Sequence, residues 1–422
     1  MSGRLNAIGS WIRDPRWFTA QRVRAYSKLI LAAYAMLGVF WTLSSRNLID
    51  PSGTPLGADF VAMWSASAMA IRGAAASAYD PARLLAVQRA MFADPQLHLC
   101  AFFYPPTYLL MIAPLAGLPY GWSLIAWIGL SLAAYLFVIR KIAPVTEALL
   151  IAVAFPGALV NFVNGQNGFL TAALLGGALI ALQKDRPVLC GVFFGLLGGK
   201  PQLGLLIPMF LLVTRQWRAI ASTSIATLIL VASSVALFGP ETWRGFIAGA
   251  SSARHLILEQ GEMGFFKMQS VFAQARMWGL SVAASYALQG LVATAAIAMA
   301  IRVWTACNDF PIRAAALVIA TMLVTPWMYD YDLVLLALPI AYLAIDAMRE
   351  GFLPFQKSIL TFAWLMPMLA RPLANAAIPI APVVLMLLLW ITLRRARFSV
   401  RGEGNRERSQ ASKSMPLAAQ FC

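Results

Sequence analysis

The sequence predicts an all-α protein that crosses the membrane many times, and three observations predict it. Of 422 residues, 60% are hydrophobic and 12% charged, with a mean hydropathy of +0.72; a soluble chain carries roughly 25% charged residues. Apolar runs recur from end to end, enough for a bundle of about 10–13 transmembrane helices at roughly 20 residues per crossing. Basic residues sit in short clusters beside those runs: Arg140-Lys141, Lys184 with Arg186, Arg215 with Arg218, Arg302 with Arg313, and Arg394-Arg395 with Arg397. Such clusters set orientation against the anionic inner leaflet. They account for the net charge of +16 without nucleic acid as a partner, and membrane lipid becomes the solvent for most of the surface.

Taken in order, residues 1–27 form a basic cytoplasmic N-terminus (Arg13, Arg16, Arg22, Arg24) with no cleavable signal. The membrane body follows over 28–393, its first span at about 29–43. Further spans are expected at about 121–140, 147–162, 166–183, 217–238, 283–301, 312–329, 331–347, 357–371 and 375–393. The tail, 394–422, is polar and basic without apolar periodicity and is read as disordered and cytoplasmic. Two stretches fit this scheme badly. Segment 106–118 is too short to cross, and 188–213 is apolar throughout yet carries arginine beyond both ends. Every basic cluster falls inside if 106–140 crosses once and 188–213 returns to the side it left. That requires two half-helices broken at Gly198-Gly199-Lys200-Pro201, the glycine and proline content such a break needs.

This topology delivers 48–104 to the outer face as one long loop, and loops of that length usually work or are disordered. Its tryptophan, methionines and phenylalanines argue against disorder. Two short amphipathic helices are expected in it, one presenting Phe60, Met63, Trp64, Ser67 and Ile71, the other Leu84, Leu85, Gln88 and Phe92. Both would lie in the membrane interface. The same topology puts Asp59, Tyr104, the turn Asn164-Gly165-Gln166-Asn167, the loop 240–280, the turn Tyr329-Asp330-Tyr331-Asp332 and Arg371 on the outer side.

Each candidate has a plain structural role beside a chemical one. Asp59 precedes a helix and can cap it, or it can serve as a general base that takes a proton from an acceptor hydroxyl; asparagine could replace it in the first role only. Asp80, followed by Pro81, is the clearer cap. Lys200 lies about 14 residues from Arg186 and Arg215, roughly 21 Å along a helix, too far to reach either end. Its amine therefore points into a polar cavity or out the far side, and a lipid phosphate is a natural partner. Asn164, Gln166 and Asn167 form a tight turn or contact sugar hydroxyls. Asp330 and Asp332 cap the next helix or line a site with Tyr329. Trp64, Trp243 and Trp327 anchor at the interface or stack on a sugar. His98 and His255, and four cysteines without paired spacing, give neither a metal site nor a disulfide framework.

In order and spacing, Gly57-Ala58-Asp59-Phe60, Ala78-Tyr79-Asp80-Pro81, Tyr104-Pro105-Pro106, Asn164-Gly165-Gln166-Asn167, Gly198-Gly199-Lys200-Pro201 and Thr325-Pro326-Trp327 resemble glycosyltransferase family 87, of the GT-C superfamily. The resemblance spans roughly 30–393. It implies a GT-C-like bundle whose first loop is periplasmic, in a bacterial inner membrane. It also implies inverting transfer of mannose or a related hexose from a polyprenyl-phosphate donor to a glycolipid or glycan acceptor, with Asp59 as the base. Lys200 and Arg371 would then neutralise the leaving phosphate. Tyr104, Asn164, Gln166, Asn167, Trp327, Tyr329, Asp330 and Asp332 would contact substrate. Charge pairing of the phosphate suffices for its departure, so no metal or other cofactor is expected. Where some members carry histidine after the Pro-Trp element, this chain has Tyr329-Asp330-Tyr331-Asp332. The rival is a transporter or lipid flippase, which also places lysine and helix breaks at mid-membrane, but the second half holds no counterpart of the 48–104 loop.

Overall fold

The computed structural model describes Arg13, Pro15 and residues 19–414, with side chains through Val400. Most of the cytoplasmic N-terminus expected over 1–27, and residues 415–422 of the tail, lie outside the described residues. Among the described residues the chain is helical without strands; only the isolated bridges Arg46 to Ile49, Ile49 to Pro55 and Met268 to Tyr329 occur.

Among the described residues, five helices are long and apolar enough to cross a membrane: Ala20–Ser44, Tyr120–Ile142, Trp217–Phe238, Val282–Ala306 and the rod Asp330–Glu350. A sixth is the pair Thr146–Val153 and Pro156–Asn164, bent by 50° where Pro156 removes a backbone donor. The larger count expected from sequence includes Gly168–Gln183 and Phe310–Val324, which have 16 and 15 residues. These are shorter than the roughly 20 residues of a crossing. Both are buried along nearly their whole length by other helices.

The break expected within 188–213 is present. Helix Pro187–Leu197 ends at Gly198, and Pro201–Gly204 and Ile207–Val213 follow. The first half packs closely on Trp217–Phe238 through small residues. A Cβ on Gly195 would lie 2.7 Å from that of Ala226, and one on Gly191 would collide with Ser222. Close backbone approach of this kind gains dispersion energy where lipid offers no hydrophobic drive.

Within 48–104 the two expected helices form at Phe60–Ile71 and Pro81–Phe92. Only the second is amphipathic in place, burying Leu84, Gln88 and Phe92. The first is not interfacial: residues from Phe60 to Ala70 are buried on nearly every side. Its non-aromatic face is made of Ala62, Ser65, Ala66 and Ala70, small enough for neighbours to close over it, and Ser67 Oγ donates across to Ile112 O (3.0 Å).

At the other end of the bundle, helix Gln356–Asn375 runs antiparallel into Ile380–Ser414. The expected disorder from 394 gives way to helix through Ser414; a polar stretch lacks a packing face but still closes its own backbone bonds. Arg395, read from sequence as an orientation signal, is 1% exposed. Its guanidinium pairs with Asp346, donates to Asp346 O (3.0 Å) and Gly351 O, and reaches Gln356 Oε1 (3.4 Å). Arg395→Met leaves Asp346 buried without its counter-charge and should cost about 3–5 kcal/mol, whereas Arg395→Met with Asp346→Leu should recover most of it. Unfolding of the detergent-solubilised proteins measures both; equal loss in the single and double variants contradicts the assignment.

Candidate active site

The site starts from two glycines that let two loops touch. Gly57 (φ +78°) and Gly165 (φ +60°) both sit in the left-handed region, which glycine enters without steric cost. A Cβ on Gly165 would lie 2.7 Å from Gly57 O and 2.8 Å from the Cβ of Phe60. The contact is pinned by Asp59 N–H donating to Asn164 O (3.1 Å) and by the buried Trp127 indole donating to Gly165 O (3.1 Å). The turn after helix Pro156–Asn164 therefore lies directly on the residue that precedes helix Phe60–Ile71.

Asp59 occupies the N-cap position of that helix but has helical angles (φ −74°, ψ −15°) and makes no capping bond. Its carboxylate is turned away from the helix, and Gln166 Nε2 donates to its Oδ2 (2.9 Å). Asp80, by contrast, caps as expected, accepting from the N–H groups of Ala82 (2.9 Å) and Arg83 (3.1 Å). Gln166 Oε1 accepts from the Tyr104 hydroxyl (3.0 Å) and the Asn167 N–H (3.1 Å). Burial pushes the Asp59 carboxyl above its ordinary value; the Gln166 bond opposes that shift, Lys267 and Arg371 oppose it electrostatically, and Asp330 adds to it. Burial also drives the Tyr104 phenol well upward, so it remains a hydrogen-bond donor. Its ring lies 4.4 Å from that of Tyr108, and its carbonyl accepts from Tyr79 (2.8 Å).

Lys200, expected to meet a lipid phosphate, has partners within the protein. It is 4% exposed. Its amine pairs with Asp332, donates to Asn167 Oδ1 (2.8 Å) and lies 5.0 Å from the centre of the Tyr331 ring. Asp332 is fully buried, and a buried carboxylate and a buried ammonium are each costly unless they meet. Asp332 Oδ2 also accepts from Tyr329 N–H (3.3 Å). Asp330 is likewise engaged: Arg371 Nε donates to its Oδ2 (2.5 Å), and the Tyr331 N–H to its Oδ1 (2.9 Å). Each carboxylate of the Tyr-Asp-Tyr-Asp turn is thus paired with a cation and a backbone N–H. Arg371 keeps 41% of its side chain exposed and remains able to meet an anion.

The other expected residues fall around this centre. Tyr329 stacks on Tyr331 at 5.3 Å with 4° between the rings, and it is held by the bridge to Met268 and by Gln269 N–H donating to Met328 O (2.6 Å). Trp327 is half-buried on the neighbouring cluster with Phe265, Tyr286 and Tyr329. The Asn164 side-chain amide donates back to Val160 O (2.7 Å) on its own helix, while its carbonyl accepts from Asp59 N–H. One residue was not singled out in the sequence. Lys267 is half-buried, acts on Asp59 and has no ion pair among the described residues. No motif separates it from the other basic residues of 240–280; its position on the expected outer face, against the inner bias of the basic clusters, was the available signal. Among the described residues no three His, Cys, Asp or Glu side chains form a metal-holding group.

The family model described as glycosyltransferase family 87 matches residues 102–326, just over half of the chain. The match takes in Tyr104, Gln166, Asn167, Lys200 and Lys267. No curated protein and no solved structure matches the chain.

The glycine contact yields a prediction. Gly165→Ala meets both a left-handed φ and the 2.7 Å approach to Gly57 O, whereas Gly53→Ala meets only φ +79° with open space around it. Strain alone costs roughly 1–3 kcal/mol. Gly165→Ala should therefore be the less stable of the two, part Gln166 from Asp59 and lower glycosyl transfer far more than Gly53→Ala. Assays of the two variants side by side check this; equal activity contradicts it.

Proposed function

The chain belongs to glycosyltransferase family 87, and from that premise we propose that it moves mannose or a related hexose from a polyprenyl-phosphate donor to a lipid or glycan acceptor at the periplasmic face of a bacterial inner membrane. The observation that carries the reading is the Asp59 carboxylate. It stands at a helix N-terminus without capping it, is held instead by Gln166, and lies within electrostatic range of Lys267 and Arg371. A carboxylate facing cations is the pair of functions that this transfer needs.

Asp59 acts as the general base. The acceptor hydroxyl oxygen attacks the anomeric carbon and its proton passes to Asp59. The bond from that carbon to the phosphate oxygen breaks, and the electron pair leaves on polyprenyl phosphate. Attack from the face opposite the phosphate inverts the anomeric centre, as in other single displacements at that carbon. Negative charge grows on the departing phosphate. Arg371 and Lys267 neutralise it, in place of the Lys200 and Arg371 pairing expected from sequence, because the Lys200 amine is already engaged by Asp332 and Asn167. Preplaced cations of this kind stabilise the transition state more than the ground state. Asp330, bonded to Arg371 and to backbone, orients the guanidinium and is not a second nucleophile. The isoprenoid tail lies against the apolar helices around the site.

Two measurements test this. With purified protein and polyprenyl-phosphate mannose as donor, Asp59→Asn should fold normally and lose about 10²–10⁴-fold in rate; full activity in a folded variant removes the base assignment. The base works only when deprotonated, and burial raises its pKa. The wild-type rate should therefore decline, as pH falls, at a pH above the ordinary aspartate value of about 3.9. An acid limb at or below that value contradicts the reading.

A further inference from the structure

We propose that Gln166 is a positioning residue that gives the two oxygens of Asp59 separate tasks, Oδ2 being held by the Gln166 amide and Oδ1 presented to the acceptor hydroxyl. This rests on the reading of Asp59 as the base.

The amide orientation follows from chemistry. A backbone N–H can only donate, so the Asn167 N–H at 3.1 Å requires the oxygen of Gln166 on its side. The nitrogen is thereby turned to Asp59 Oδ2 at 2.9 Å. The Tyr104 hydroxyl adds a second donor to the same amide oxygen at 3.0 Å. Gln166 is only 5% exposed, so water competes little for these bonds. An amide that donates to a carboxylate favours its ionised form, the form a base must hold before reaction. No other hydrogen bond to the Asp59 carboxylate is made by the described residues; its Oδ1 is not engaged.

The remaining groups set the field in which this bond acts. Lys267, Asp330 and Arg371 act on Asp59 directly. The Asp59 charge is in turn felt by Cys100 and by the phenols of Tyr104, Tyr120, Tyr329 and Tyr331. Among these, Gln166 is the one that touches the carboxylate and fixes its rotation. A residue that merely joined two loops would affect stability and the level of activity. A residue that holds the base would also move its titration.

The test is Gln166→Met in the full-length protein, assayed for transfer from polyprenyl-phosphate mannose across pH. Methionine keeps the length and removes the donor. The expected result is an acid limb of kcat/KM displaced to higher pH. The plateau should fall roughly 10–100-fold, as the loss of one hydrogen bond to a charged group implies, with donor KM little changed. An acid limb at the wild-type pH overturns the proposal whatever the plateau does. With Asp59→Asn inactive, that outcome leaves the base reading intact; only full activity in Asp59→Asn removes both. Should Gln166→Met fail to fold, Tyr104→Phe serves. It keeps the ring beside Tyr108 and the Asn167 N–H anchor while loosening the amide. A smaller displacement of the limb in the same direction supports the proposal, and none overturns it.

Discussion

Lys200 and Asp332 neutralise each other where three interrupted helices meet. Lys200 belongs to the break after Pro187–Leu197, Asp332 to the tight turn that opens the rod Asp330–Glu350, and Asn167, which also binds the lysine, to the start of Gly168–Gln183. Alone, each charge would be prohibitive at this depth; together, with Asn167 and the Tyr331 ring completing the shell, they become a fixed point. The geometry of the site follows from that point. Asn167 fixes Gln166, Gln166 holds Asp59, and Asp59 lies at the head of a helix buried by its own small residues. The same rod carries Asp346, and its pairing with Arg395 fixes the opposite end. From 332 to 346 is roughly 21 Å at 1.5 Å per residue, so one element is pinned twice, far apart.

Pairing also sorts the charges by task. Lys200, Arg395, Asp332 and Asp346 are buried and committed to one another. Arg371 is tied to Asp330 yet still open, and Lys267 is half-buried without an ion pair among the described residues. Two cations less committed to the fold, Arg371 and Lys267, therefore act on Asp59, a carboxylate without an ion pair or a capping bond among the described residues. Such an arrangement suits the transfer proposed above, in which a proton leaves one group while negative charge appears on another.

Much of the helical layout was legible in the sequence, because hydrophobic run length and proline–glycine punctuation act locally. The expected spans at 121–140 and 217–238 lie within Tyr120–Ile142 and Trp217–Phe238, and the break at Gly198-Gly199-Lys200-Pro201 falls where glycine and proline demanded it. What could not be read was set by tertiary partners. The periodicity of Phe60–Ile71 suggested a surface helix, but alanine and serine serve equally on a face that another helix covers. Pro81 marks Asp80 as a cap in the sequence, but that Asp59 does not cap is visible only in its backbone angle and the reach of Gln166. The partner of Lys200 lies 132 positions away, and no local pattern links the two. Lys267 carries no motif at all. That Gly168–Gln183 and Phe310–Val324 are enclosed by neighbouring helices was not legible, because burial by protein and burial by lipid leave the same composition.

The central claim is that the base and the phosphate-binding cations face one reaction centre. A structure of the protein with a bound polyprenyl phosphate tests it most directly. The expected result is a phosphate about 2.7–3.2 Å from the Arg371 and Lys267 side chains, with Asp59 Oδ1 across the space where the anomeric carbon would lie and Lys200 still on Asp332. A phosphate seated away from Arg371 and Lys267, or an Asp59 carboxylate turned from it, would contradict the claim.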